Sequence, residues 1–127
     1  MDAPRADAAR RFSPDHVWVD EDGFVGVTEL LVRGVPEPRR VHLPAVGQTL
    51  AIATPFGALE GDKGLLDLYA PCDGVVVAVN DAIVAAPSML IDAPTSWLVR
   101  IAGTPGPLLD EAAYRARARP PLRRGKT

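Results

Sequence analysis

Cysteine is nearly absent. Cys72 is the single one in 127 residues, so no intrachain disulfide, CxxC redox pair or cysteine-based zinc site can form. Any redox chemistry must therefore come from something added to the protein. Histidine is almost as scarce: His16 and His42 stand 26 positions apart, outside any metal-ligand spacing, and are expected to be core or surface residues with no metal bound. A glycine-rich phosphate loop, a nucleophile elbow and an HExxH motif are all missing, so no catalytic residue and no stand-alone enzyme is expected. Charge of one sign is lacking too. A net charge of -2, a pI near 5.6 and no block of like charge before the C-terminal tail remove any global attraction for nucleic acid. No apolar run reaches signal-peptide or membrane-spanning length, and the chain is expected to be cytoplasmic with no membrane partner.

With 47% hydrophobic and 24% charged residues, the chain fits one globular domain with a modest core. Met1 to Arg11 lacks periodicity and is expected to be a disordered tail (1–11), with Ser13-Pro14 marking the entrance to a domain over 12–119. His16 to Val19 and Gly23 to Thr28 flank the acidic turn Asp20-Glu21-Asp22 and predict a first hairpin. Glu29 to Arg33 can start a helix, which Gly34, Pro36 and Pro38 stop after a turn or two. Further strands are predicted over 40–43, 49–52, 56–59, 65–69, 75–79 and 97–101. Pro87 and Pro94 leave room for only a short helical stretch between Asn80 and Asp92. Leu108, Leu109, Ala112, Ala113 and Ala116 recur at helical spacing, with Pro107 at the start and Asp110-Glu111 in the first turn, and predict a C-terminal helix docked by that stripe. Pro120-Pro121 ends it, and 120–127 is a short basic tail.

Two stretches follow one plan: Pro44-Ala45-Val46-Gly47 and Pro71-Cys72-Asp73-Gly74 each lead into an apolar strand. They suggest a two-sheet sandwich with approximate internal symmetry, although Pro-x-x-Gly is also ordinary turn chemistry. Between them lies Leu59-Glu60-Gly61-Asp62-Lys63-Gly64-Leu65, which reads as a β-hairpin with Asp62 and Lys63 in the turn and Gly64 in a left-handed bulge position. A side chain at such a tip projects into water, where another protein can reach it. From the turn alone, a lysine that merely aids solubility is the commoner outcome. Cys72 falls in a second turn and is expected to be passive.

Read together, a longer set of residues is more specific. His16-x-Trp18-Val19, Gly26-Val27-Thr28, Val41-x-Leu43-Pro44-x-Val46-Gly47, Phe56-Gly57, Glu60-x-x-Lys63, Asp67-Leu68-Tyr69-Ala70-Pro71, Gly74-x-Val76, Val79-Asn80 and Trp97-Leu98-x-Arg100-Ile101 resemble the glycine cleavage system H protein family. The resemblance spans Phe12 to Arg117, with no gap from Gly26 through Pro44 to Lys63. It implies a mainly β fold, the barrel-sandwich hybrid of lipoyl and biotinyl carriers, with short helices and a C-terminal helix. It also implies that the chain is a monomeric carrier and not an enzyme, with lipoic acid amide-linked to Lys63. A lipoate-attaching enzyme would load it, and glycine decarboxylase, aminomethyltransferase and dihydrolipoamide dehydrogenase would use it. Glu60, Asp62 and Asp67 would shape the hairpin or be recognised, Gly64 would permit the turn, and Trp18 and Trp97 would pack the core.

Some residues depart from the family pattern. The tip usually reads Glu-Ser-Val-Lys-Ala, whereas this chain has Glu60-Gly61-Asp62-Lys63-Gly64. Asp-Lys is the pairing seen in lipoyl domains of 2-oxoacid dehydrogenases, while biotinyl domains flank their lysine with methionines. The helix and Leu-Gly-Asp turn that normally follow Gly-Val-Thr become Gly34-Val35-Pro36-Glu37-Pro38, so a cleft built partly by that helix is expected to differ. The resemblance therefore also admits an H-like carrier of another pathway, such as sulfur oxidation, or an unlipoylated paralogue acting as an interaction domain.

Overall fold

The computed structural model describes residues 3–121. Residues 122–127 of the basic tail expected at the C-terminus lie outside them. Among the described residues nine strands form two antiparallel sheets. The larger has the order β1-β2-β3-β9-β8-β5, built from β1 (Arg10–Phe12), β2 (Val17–Asp20), β3 (Phe24–Val27), β5 (Thr49–Leu50), β8 (Cys72–Val79) and β9 (Trp97–Pro105). The smaller, β4-β6-β7, is built from β4 (Arg40–His42), β6 (Pro55–Gly61) and β7 (Gly64–Tyr69). Four short helices are found among the described residues: α1 (Glu29–Arg33), α2 (Asp81–Ala85), α3 (Met89–Asp92) and α4 (Glu111–Arg117). A mainly β body with a C-terminal helix is the architecture the resemblance implies.

Every residue of β2 and β3 is buried, because this part of the larger sheet is covered on both faces, whereas β8 leaves Val75 and Val77 exposed. Side chains alternate across a strand, so Val17, Val19, Val25 and Val27 enter the main core while Trp18 and Phe24 point the other way. On that second face they meet Phe12, Tyr114 and Leu109 and form a separate aromatic cluster under α4. The first hairpin follows from its turn: Gly23 has φ +89°, and Asp20 Oδ1 accepts from the amides of Asp22 at 2.9 Å and Phe24 at 3.0 Å.

Strand β1 starts at Arg10, ahead of the Phe12 boundary expected from the sequence. Arg10 pairs with Asp20 and Arg11 with Val19 in the β1–β2 ladder, and the Arg10 guanidinium lies 3.9 Å from the Trp18 ring centroid. Arg5 Nε bonds Asp22 Oδ2 at 2.8 Å. An isolated Arg-Arg-Phe has no strand pattern, and pairing with β2 supplies what the local sequence does not. The C-terminal helix also starts later than Pro107. Asp110 takes the N-cap, accepting from Ala113 N at 2.7 Å, and this rotates Tyr114 into the protein while Ala112 and Ala116 stay exposed. The docked stripe is therefore not the alanine stripe.

The two Pro-x-x-Gly stretches differ in conformation. Gly47 has φ +94° in a loop, whereas Cys72, Asp73 and Gly74 already belong to β8, so the turn expected around Cys72 is a single bend at Pro71. The strands that follow them do pair, Thr49 with Val75 and Leu50 with Gly74. Cys72 is buried, and burial pushes its thiol pKa up, so a reactive thiolate is disfavoured.

His16 is buried, with Nδ1 at 2.7 Å from the Tyr114 hydroxyl. Burial pushes its imidazole pKa down, against the raising effects of Asp15 and the Arg119 backbone. A depressed folded-state pKa means that the unfolded chain takes up the proton first as pH falls. Stability contributed by neutral His16 is thus complete above the ordinary histidine value near 6.5 and is lost as pH falls below it. Thermal melts from pH 7.5 to 5 are expected to show Tm falling below about pH 6.5, with a shallower slope in His16→Gln; identical slopes would remove His16 as the cause.

Candidate functional site: the Lys63 hairpin

β6 and β7 are paired from Pro55–Tyr69 at the base to Gly61–Gly64 at the tip, leaving Asp62 and Lys63 as a two-residue turn. Alternation along β7 buries Leu66 and Leu68, which anchors the hairpin in the core, while Asp62 and Lys63 are exposed. The hairpin belongs wholly to the smaller sheet, so the lysine stands at one end of that sheet and not between two sheets. Gly64 adopts φ +154°, a value glycine tolerates, in place of the left-handed helical bulge expected from the sequence.

Gly61 matters for a different reason. A Cβ there would stand 2.7 Å from Val35 Cγ1, so the missing side chain lets the segment after α1 close onto the hairpin. Val35, Pro36 and Glu37 then face Gly61, Asp62, Lys63 and Gly64 across an open cleft of about 410 Å³. The segment follows from its sequence: Thr28 caps α1, Gly34 ends it, and Pro36 and Pro38 keep the next residues out of a helix.

The other predicted residues divide. Asp62 turns to Arg39, whose Nη2 lies 3.0 Å from Asp62 Oδ2 and 3.4 Å from Glu37 Oε2. The Asp62 bond is the main reason the guanidinium pKa is raised. These groups are exposed and screened, so the pair acts on geometry more than on stability. Glu60 faces β4 and meets His42 Nε2 at 2.9 Å, while the Glu60 carbonyl accepts from the Arg39 amide at 2.7 Å. Asp67 is half-buried, opposite Ala58, farther down the hairpin from Lys63. Asp62, Lys63 and Gly64 thus gather at the cleft, and Glu60 and Asp67 support the strands behind it. Arg39, Val35 and Gly61 were not singled out by sequence; Arg39 lies 23 positions from Asp62, beyond any local pattern. Trp18 is fully buried and Trp97 packs on the aromatic cluster, as expected of core residues.

A family model described as Glycine cleavage H-protein matches residues 10–114. The chain belongs to the glycine cleavage H-protein family. It is 36% identical to a glycine cleavage system H protein of Nitratidesulfovibrio vulgaris over 114 residues, which cover 84% of this chain and 90% of that protein. A second, from Beutenbergia cavernae, is 39% identical over 113 residues, covering 84% of this chain and 91% of the relative. The crystal structure of a glycine cleavage system H protein from Mycobacterium marinum superposes with a TM-score of 0.80 at 31% identity, covering 87% of this chain and 96% of that one. The mainly β fold with its C-terminal helix is thus the H-protein fold. Among the described residues no helix is long and apolar enough to cross a membrane.

Proposed function

We propose that this H-family chain is a lipoyl carrier and that Lys63 is its attachment point. The observation that carries the reading is the placement of Lys63: exposed, second of two turn residues, on a hairpin anchored by Leu66 and Leu68. The site suits the group. An amide-linked arm needs an amine that an attaching enzyme can reach, and the neighbouring Asp62 carboxylate is drawn to Arg39. Acylation replaces the ammonium by a neutral amide.

Attached at Lys63, the group would supply a redox-active dithiolane suited to carrying an aminomethyl unit, and glycine decarboxylase, aminomethyltransferase and dihydrolipoamide dehydrogenase would be the partners that load, unload and reoxidise it. The chain itself binds and orients. Leu66 and Leu68 fix the hairpin, Gly61 admits Val35, and Arg39 ties Asp62 to Glu37, so the lysine leaves the surface from a defined place. A short flexible tether there raises the effective concentration of its end at a docked partner to about the millimolar range. Buried Cys72 takes no part.

The test is reconstitution. The lipoylated chain is added to purified glycine decarboxylase, and release of carbon dioxide from labelled glycine is measured. The reading predicts release that rises with carrier concentration and is absent with the unlipoylated chain. Lipoylation without such release would assign the carrier to another lipoyl-dependent pathway.

A further inference from the structure

Helix α1 is five residues long, too short to hold itself, yet it delivers Val35, Pro36 and Glu37 to the cleft. It is gripped at both ends by the C-terminal segment. At its start, the N-cap Thr28 Oγ1 lies 2.8 Å from the Tyr114 hydroxyl, which lies 2.7 Å from His16 Nδ1. The Thr28 oxygen also receives the Leu31 amide at 3.4 Å, which ties this chain of contacts to the first turn of α1. His16 holds φ +70°, a strained value for a residue other than glycine, and this places its ring on Tyr114. At the far end, the Pro121 ring lies against the C-cap: a Cβ on Gly34 would stand 3.3 Å from Pro121 Cγ. Phe12 stacks on Tyr114 at 5.0 Å and fixes the ring independently of its hydroxyl.

We propose that the C-terminal segment 114–121 is a positioning element for the Lys63 cleft, acting through Tyr114 at the start of α1 and Pro121 at its end. Tyr114 touches neither Lys63 nor the cleft. It sets Thr28, Thr28 sets α1, and α1 sets Val35 against Gly61. The part concerning the cleft wall stands without any attached group; the part concerning acylation rests on Lys63 being the attachment point.

The test uses the full chain and the variants Tyr114→Phe, Pro121→Gly, Thr28→Val and Thr28→Ser. Tyr114→Phe keeps the stacked ring, and Thr28→Ser keeps the hydroxyl. Amide hydrogen exchange is followed over 28–38 and 61–64, with β8 and β9 as the internal reference. Loss of one buried hydrogen bond predicts exchange about five- to tenfold faster over 28–38 and 61–64 in Tyr114→Phe and Thr28→Val, with wild-type behaviour in Thr28→Ser. Pro121→Gly should speed the same segments from the other end. With a lipoate-attaching enzyme, the loosened variants should show a raised KM for the carrier and an unchanged kcat. Acceleration spread evenly over β8 and β9, or no change at 61–64, would overturn the proposal and leave Tyr114 a merely structural residue. Were wild type itself not acylated, the Lys63 reading would fall while the exchange comparison still decided this one. If Tyr114→Phe does not fold, Pro121→Gly, which leaves the aromatic cluster intact, gives the same decision.

Discussion

Arginine in place of Lys63 is expected to abolish lipoyl attachment and, with it, all carbon dioxide release in the reconstituted glycine reaction. The substitution keeps the positive charge and most of the stem, so folding and the exposed turn are retained. A guanidinium, always protonated in proteins, offers no amine to acylate. The effect is all-or-none because the other turn residue, Asp62, is a carboxylate and offers no amine. Melting temperature should stay within about 2 °C of wild type, since exposed substitutions away from caps and cores usually change stability by less than about 0.5 kcal/mol. Arg39→Ala is the informative contrast. It releases Asp62 but leaves the amine exposed, so attachment should persist. Attachment at wild-type yield in Lys63→Arg would place the acceptor elsewhere.

Trp18→Ala carries the largest expected loss of stability. The indole is fully buried, and a Cβ on Gly26 would stand 2.6 Å from it, so glycine at 26 is what admits the ring. Phe12, Phe24 and Tyr114 pack with it in the aromatic cluster, and Arg10 lies over its face. Removing a tryptophan from such a site costs about 3–5 kcal/mol. For a chain of this size that lowers Tm by roughly 10–20 °C. Trp18 Nε1 is buried without a hydrogen-bond partner, so Trp18→Phe should cost much less, because it sheds an unsatisfied donor along with part of the ring. Chemical denaturation of the three proteins would check both statements. A loss below about 1 kcal/mol in Trp18→Ala would mean that α4 and the sheet can close over the vacated space.

What could be read in advance was local chemistry. Asp20-Glu21-Asp22-Gly23 announced the first hairpin because a carboxylate and a glycine build such a turn from within. Asp62-Lys63-Gly64 announced the second, although there the carboxylate bonds Arg39 and the glycine takes φ +154°. Gly34, Pro36 and Pro38 stopped α1 where the sequence said a helix could not continue. What could not be read depends on contacts made only after folding. Arg10 and Arg11 look like tail residues until β2 offers them a ladder. The C-terminal helix takes its phase from the Asp110 cap, and Tyr114, passed over among alanines, becomes its anchor. The cleft shows both cases. Its prolines were visible, but Arg39 meets Asp62 only because β4 lies beside β6.

The resemblance read from scattered residues and the match over residues 10–114 agree on the family. In this chain Asp62 is held by Arg39, and Val35 to Glu37 form the wall of the cleft. Both features border Lys63 and leave it exposed.

The most direct measurement is the intact mass of the chain made in a host with lipoate-attaching enzymes, followed by peptide mapping of the adduct. The account predicts one lipoyl group per chain, on the peptide containing Lys63. An unmodified mass under those conditions, or an adduct on any other residue, would contradict it.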